Sequence, residues 1–172
     1  RRLIDKRAVN VLQVAEQVFA GLTEKAEKAG CSITVEVEAR IWVLADSGAL
    51  EQILTNFSEN AIKYSGGGAV TIWAEKKMGG IVHLGVDDEG KGIDEEHQAR
   101  LFERFYRVDP GRSRDQGGTG LGLAIVKHLA EAMDGKVHVA SREPRGTRFW
   151  VELREASPGY QPSRPASSRP SA

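Results

Sequence analysis

Four polar side chains recur along one short stretch: Gln52, Asn56, Asn60 and Lys63, with Tyr64 directly after. On a helix turning about 100° per residue they gather within about 80° of arc, beside an apolar stripe of Leu50, Ile53, Leu54, Phe57 and Ala61. Asparagine favours caps and turns over helix interiors, so two mid-helix asparagines call for a polar task. An asparagine carbonyl oxygen can coordinate a hard cation, and Mg2+ takes few protein ligands, completing its shell with phosphates and water. A lysine one turn further on meets a phosphate as a point charge. Such a stripe suits a nucleoside triphosphate and its metal. A solvated helix face is the plain alternative.

Three further stretches carry candidate chemistry. In Val86-Asp87-Asp88-Glu89-Gly90-Lys91-Gly92-Ile93 an apolar strand ends on carboxylates and two glycines follow. A carboxylate held there is a good acceptor for an exocyclic amine, and the glycines let the backbone come close to a planar ring. An Asp-Gly turn without a ligand competes with that reading. In Gly117-Gly118-Thr119-Gly120-Leu121-Gly122-Leu123-Ala124-Ile125-Val126-Lys127 a glycine-rich loop leads into a helix. Free N–H groups at the helix start, aided by the helix dipole, make an anion site; a loop preceding a core helix is the alternative. The spacing is not that of a Rossmann fingerprint, and no Gly-x-x-x-x-Gly-Lys-Ser/Thr loop occurs. In Leu101-Phe102-Glu103-Arg104-Phe105-Tyr106-Arg107 the aromatic residues can anchor a mobile loop, and Arg107 can reach a terminal phosphate. The neighbouring arginines are interleaved with Glu95, Glu96, Glu103, Asp109 and Asp115, which speaks against a nucleic-acid patch.

The elements that must position these residues follow from periodicity. Val11, Leu12, Ala15, Val18, Phe19, Leu22 and Ala26 predict a helix over residues 11–29, stopped at Gly30. Strands are expected at Ile33–Val37, Trp42–Ala45, Val70–Ala74, Ile81–Val86, from Val137, and around Phe149–Val151, with Gly79-Gly80 as a hairpin turn. Asp46 or Ser47 can cap the polar-striped helix, and Gly66-Gly67-Gly68 ends it. A last helix over 121–133 would lay Leu121, Ala124, Ile125, His128, Leu129 and Ala132 along one side and stop at Asp134-Gly135. Residues 94–117 are polar and rich in arginine and glycine, with a short helical patch near Glu95–Phe105; connections of that length are usually functional or mobile. This order suggests an α/β two-layer sandwich, helices on one face of a mixed sheet. Residues 156–172 are Ser, Pro and Arg with almost no apolar content and read as a disordered tail.

With 172 residues, 40% of them apolar, the chain suits one globular domain. Its 24 basic residues equal its 24 acidic ones, which argues against general nucleic-acid or membrane-surface binding. The single cysteine, Cys31, fits a reducing, cytoplasmic setting. No apolar run approaches the ~18 residues of a membrane span. The chain starts at Arg1, so a fragment of a longer protein is expected.

In their order, these stretches resemble the catalytic, ATP-binding domain of bacterial sensor histidine kinases, which share the Bergerat fold with gyrase and mismatch-repair ATPases. Asn56 to Tyr64 is similar to the N box and Asp88-x-Gly90-x-Gly92 to the G1 box. Phe102 to Arg107 matches the F box, Gly118 to Leu123 the G2 box, and Gly146-Thr147-Arg148-Phe149 the Gly-Thr-x-Phe motif. The resemblance covers roughly residues 7–154. It implies a mostly antiparallel mixed sheet with three helices on one face and a long ATP lid, here 94–117, within a domain spanning 11–155. Residues 1–10 would be a linker or the end of an upstream dimerisation helix.

The resemblance also implies roles. Asp88 would bond the adenine amine, with Gly90, Gly92 and Ile93 beside the ring and Thr147 on the sheet below. Asn60 would hold Mg2+, supported by Asn56; Lys63 and Tyr64 would face phosphates and sugar. Tyr106 and Arg107 would approach the nucleotide from the lid. Gly118, Thr119, Gly120, Leu121, Gly122 and Leu123 would offer backbone N–H groups to the phosphates. Asn60, Lys63 and Arg107 would serve transfer of the ATP γ-phosphoryl group to a histidine, by alignment and charge neutralisation. Hydrolysing relatives carry a glutamate four residues before the metal-binding asparagine; Asn56 stands there instead, so slow hydrolysis is expected. None of the four histidines is followed by an acidic residue, as the family's phosphoacceptor usually is. The acceptor is therefore expected on a separate helical hairpin, through which the whole protein would dimerise, this chain alone being monomeric. A response-regulator receiver domain would take the phosphoryl group onward in two-component signalling. A hydrolysing or serine-directed relative, and a non-catalytic nucleotide sensor, are the competing functions.

Overall fold

A computed structural model describes residues 3–104, 106 and 122–160. The expected helix over 11–29 is α1 (Val11–Lys28). Asn10 caps it by accepting from the Gln13 N–H at 3.0 Å, and Gly30 follows its end at φ +73°. Residues 1–10, read as a linker or helix end, differ: Arg7–Asn10 is a strand, β1, antiparallel to β3 (Trp42–Ala45). Only Val9 of its four residues is buried, so no alternation betrays it in the sequence. This pair is a sheet of its own, joined to the body by a bridge from Val43 to Glu155.

The main sheet has five strands: β2 (Ser32–Glu36), β4 (Ala69–Lys77), β5 (Ile81–Asp88), β7 (Thr147–Arg154) and β6 (Lys136–Ser141), in that spatial order. β2 runs parallel to β4, and the remaining pairs are antiparallel, so the sheet is mixed and mostly antiparallel as expected. The β4–β5 hairpin turns through the three residues Met78, Gly79 and Gly80, and the two glycines take positive φ, which a side chain would strain. Helices α1, α2 (Ser47–Tyr64) and α4 (Gly122–Ala132) cover one face of the sheet. A short helix, α3 (Glu95–Gln98), precedes the stretch that is only partly described.

The core lies between these layers. Leu50, Ile53, Leu54, Phe57 and Ala61 of α2 are all buried, as the sequence stripe requires. Phe57 stacks on Phe149 of β7 at 5.4 Å between centroids, and Phe102 meets Phe149 edge-on at 6.3 Å. Fully burying a side chain of this kind stabilises by roughly 1.5–3 kcal/mol. The last helix turns a different face inward than its spacing suggested. Val126, Leu129 and Ala130 are buried with Met133 just beyond, while Ile125 and His128 are exposed. A helix apolar on most sides has no marked stripe, and packing against α2 and β6 chooses the face.

Candidate functional site

Strand parity sends Val82, Leu84, Val86 and Asp88 of β5 towards the helices and His83, Gly85 and Asp87 to the open face. Asp88 is thereby 4% exposed at the inner end of the strand. Its Oδ1 accepts from the Gly90 N–H at 2.8 Å and the Thr147 N–H at 3.3 Å; Thr147 is its cross-strand neighbour. Its Oδ2 has no partner among the described residues. Burial pushes the carboxyl above the ordinary aspartate range, against the pull of the two N–H groups and of Arg142. Gly90 passes so near the end of α2 that a Cβ there would lie 2.6 Å from the Tyr64 carbonyl oxygen. Gly92, at φ +83°, takes a left-handed conformation, and Ile93 is half-buried after it.

The polar stripe of α2 flanks this loop. Asp46 caps the helix, its Oδ1 accepting from the Ala49 N–H at 2.9 Å. Asn56, Asn60 and Lys63 are half-buried, Gln52 is exposed, and Tyr64 is half exposed at the end. Asn56 Nδ2 donates to the Gly122 carbonyl at 3.2 Å, tying α2 to the first turn of α4. The Asn60 side chain has no hydrogen-bond partner among the described residues. Lys63 makes no ion pair there, and its ammonium lies 5.8 Å from the Tyr64 ring centre. The chemistry of this donor set fits a hard cation beside phosphate: an unengaged amide oxygen and an unengaged ammonium next to each other on one half-buried face.

Between this loop and α3, Gln98 Nε2 donates to the Ile93 carbonyl at 2.7 Å. Helix α3 is shorter than the patch expected over Glu95–Phe105; turns follow it to Arg104. Tyr106 packs on His97, whose Nδ1 pairs with the Tyr106 hydroxyl, and Arg100 covers the Tyr106 ring at 4.6 Å. His97 is therefore half-buried and engaged. Arg107, Gly118, Thr119, Gly120 and Leu121 lie outside the described residues; Gly122 and Leu123 begin α4, half-buried. A groove of about 410 Å3 opens elsewhere, lined by Asp5, Asn10, Gln13, Gln17 and Trp42 among others, and none of its residues belongs to the Asp88 loop or the polar stripe.

Residues 45–157 match the family described as histidine kinase-, DNA gyrase B- and HSP90-like ATPases. The chain belongs to this ATPase family. A sensor-like histidine kinase, SenX3 of Mycolicibacterium smegmatis, is 39% identical over 154 residues, covering 90% of this chain. The chain spans only 40% of that relative's length. Full-length ShkA, solved with AMPPNP, superposes with a TM-score of 0.78 at 34% identity, over 91% of this chain and 32% of ShkA. Histidine kinase ThkA, solved with the response regulator TrrA, gives 0.74 at 25% identity, over 91% and 43%. The fold is thus that of histidine kinase catalytic domains, as the motifs implied.

For this ATPase domain the structure brings Asp88, Gly90, Tyr64 and Thr147 into direct contact and sets the α2 stripe beside them. Sequence reasoning missed the open side of the sheet behind Asp88. There Asp87 is 6% exposed and receives Arg148 at 2.8 Å on both oxygens, Trp73 Nε1 at 3.0 Å and Arg142 Nε at 3.4 Å. Arg148 also lies over the Trp73 ring at 4.2 Å. Alternation along Val82, Leu84 and Val86 could have assigned Asp87 to that face, but its partners are 14 to 61 residues away.

Proposed function

We propose that this domain binds Mg-ATP and transfers the γ-phosphoryl group to a histidine on a separate helical hairpin of the same protein. The observation that carries the reading is a buried carboxylate, Asp88, with one oxygen that has no partner among the described residues, next to a half-buried face where Asn60 has no hydrogen-bond partner and Lys63 no ion pair among them. Asp88 Oδ2 accepts the adenine amine, while Gly90 and Gly92 let the base approach the backbone. Lys63 neutralises phosphate charge, and Arg107 of the lid reaches the terminal phosphate. The N–H groups from Gly118 to Leu123 hold the phosphate chain. Asn60 would hold Mg2+, which supplies charge neutralisation on the phosphates when bound. Asn56, donating its amide N–H to Gly122, is a poor general base, so water is not activated and the protein acceptor is favoured. The SenX3 and ThkA likenesses support a two-component setting with a receiver domain as onward partner; a dimer of the whole protein through the hairpin belongs to the same proposal. Among the described residues no helix is long and apolar enough to cross a membrane.

Incubating the chain with its parent's hairpin segment and radiolabelled Mg-ATP tests the reading. Acid-labile, base-stable label on the hairpin is the expected result, with none on this chain alone. Binding of ATP without label would favour a nucleotide sensor. Turnover near 1 s⁻¹ or faster without acceptor, a rate typical of enzymes, would favour a hydrolase.

A further inference from the structure

The end of β6 and the turn after it send three side chains to three carbonyls of the Asp88 loop. Arg142 Nη1 donates to the Asp88 carbonyl at 2.8 Å, Arg145 Nε to the Gly90 carbonyl at 3.3 Å, and Ser141 Oγ to the Ile93 carbonyl at 3.0 Å. Gln98 of α3 joins the same point, donating to Ser141 Oγ at 3.2 Å as well as to Ile93. The turn cannot be moved away from the loop without loss. A Cβ on Gly146 would sit 2.0 Å from the Asp88 carbonyl oxygen, so the two backbones are in direct contact. Arg142 differs from the other two because it holds the backbone of one residue and the side chain of the residue before it. Its Nη1 holds the Asp88 carbonyl while its Nε lies 3.4 Å from Asp87 Oδ2 on the opposite face.

We infer that Arg142 is a positioning residue for base recognition, fixing the Asp88 carbonyl against the Asp87 carboxylate so that Asp88 presents its free oxygen to the exocyclic amine of adenine. The inference rests on the adenine role given to Asp88 above and adds the element that sets its direction. A carboxylate on a short side chain at a strand end discriminates between bases only as well as its backbone is fixed. A misdirected acceptor still fills space but loses its hydrogen bond. Arg148 saturates Asp87 and so keeps that carboxylate on the open face, while Arg142 connects it to the backbone of the residue that meets the base. Arg142 touches no substrate in this arrangement and acts through Asp88. Its loss should therefore affect adenine nucleotides and spare those that lack the amine.

The test compares ATP with inosine triphosphate, which carries a carbonyl where adenine has its amine, by calorimetric titration of the whole chain with Mg2+. Wild type should prefer ATP. Arg142→Met should reduce the ATP-to-inosine preference by about tenfold, one hydrogen bond's worth of discrimination, with inosine affinity unchanged. Arg142→Lys, which keeps a charge near Asp87, should recover part of it. Amide hydrogen exchange should be faster at Gly90 and Thr147 in Arg142→Met, since both N–H groups are held by Asp88. If Arg142→Met does not fold, Arg142→Lys and Arg145→Ala carry the comparison, the first losing preference and the second keeping most of it. A wild type without preference for ATP overturns the adenine reading itself. A wild type with preference, undiminished in a folded Arg142 variant, overturns the positioning role alone.

Discussion

Replacing Asp88 by Asn separates what the carboxylate does for the ligand from what it does for the fold. In the wild type Oδ1 is occupied by two backbone N–H groups, and an asparagine carbonyl oxygen can accept both of them in the same place. What changes is the second position, where an acceptor oxygen becomes an NH2 donor facing the donor amine of the base. The lost charge-assisted bond and the two donors left facing each other together come to about 3–4 kcal/mol, a two- to three-decade rise in Kd for ATP. Stability should move the other way. Burial raises the Asp88 pKa in the folded chain, so the folded state holds this proton more tightly than the unfolded one. The folded chain therefore loses stability as pH rises from the ordinary aspartate value through the raised one, and above that window ionised Asp88 is a standing cost. Asp88→Asn removes it. Its melting temperature should equal or exceed wild type at neutral pH, and the difference should vanish below the ordinary aspartate pKa. By the same titration, wild-type affinity for ATP should weaken in mildly acid solution, sooner than an unperturbed aspartate would allow. Calorimetric titration with ATP, and scanning calorimetry across pH, measure both. A folded Asp88→Asn that binds ATP within threefold of wild type, or one that melts lower at neutral pH, would refute the reasoning.

Asn60→Ala should leave metal-free ATP binding unchanged and abolish the strengthening that Mg2+ gives; titrations with Mg2+ and with a chelator decide it. Gly85 lies in the β5 row between Trp73 and Trp150, and a Cβ there would sit 1.9 Å from the Phe149 carbonyl oxygen. Gly85→Ala should accordingly cost about 3 kcal/mol or more by forcing the strands apart, read as a lowered urea midpoint. Ser58 is fully buried on α2 and its hydroxyl has no partner among the described residues, so Ser58→Ala should be neutral or raise stability by about 1 kcal/mol, seen as a higher midpoint at unchanged slope.

Where a sequence period carries the information, the structure is close to the expectation; where a partner lies far along the chain, it is not. The two stripes of α2 are written at 3.6-residue spacing, and burial follows them from Leu50 to Ala61. Strand alternation in β4, β5 and β7 is equally direct, because each inward position is apolar over several residues. Strand β1 offers four residues and one buried side chain, too little for a period to register. Helix α4 is apolar on most sides, so its buried face was set by its neighbours. The same limit governs the Asp88 loop. Gly90 and Gly92 announce close approach of backbone, yet nothing local to Asp87-Asp88 announces Arg142, 54 residues further on. The adjacent carboxylates are nonetheless parsed by a rule the sequence contains: neighbouring residues on a strand point to opposite faces. The apolar run Val82, Leu84, Val86 makes 88 an inward position and 87 an outward one. One peptide thus serves a buried acceptor on the helix side and an arginine-saturated anchor on the other, and exchanging the two residues' environments would require shifting β5 by one register, which would expose every apolar residue of that run.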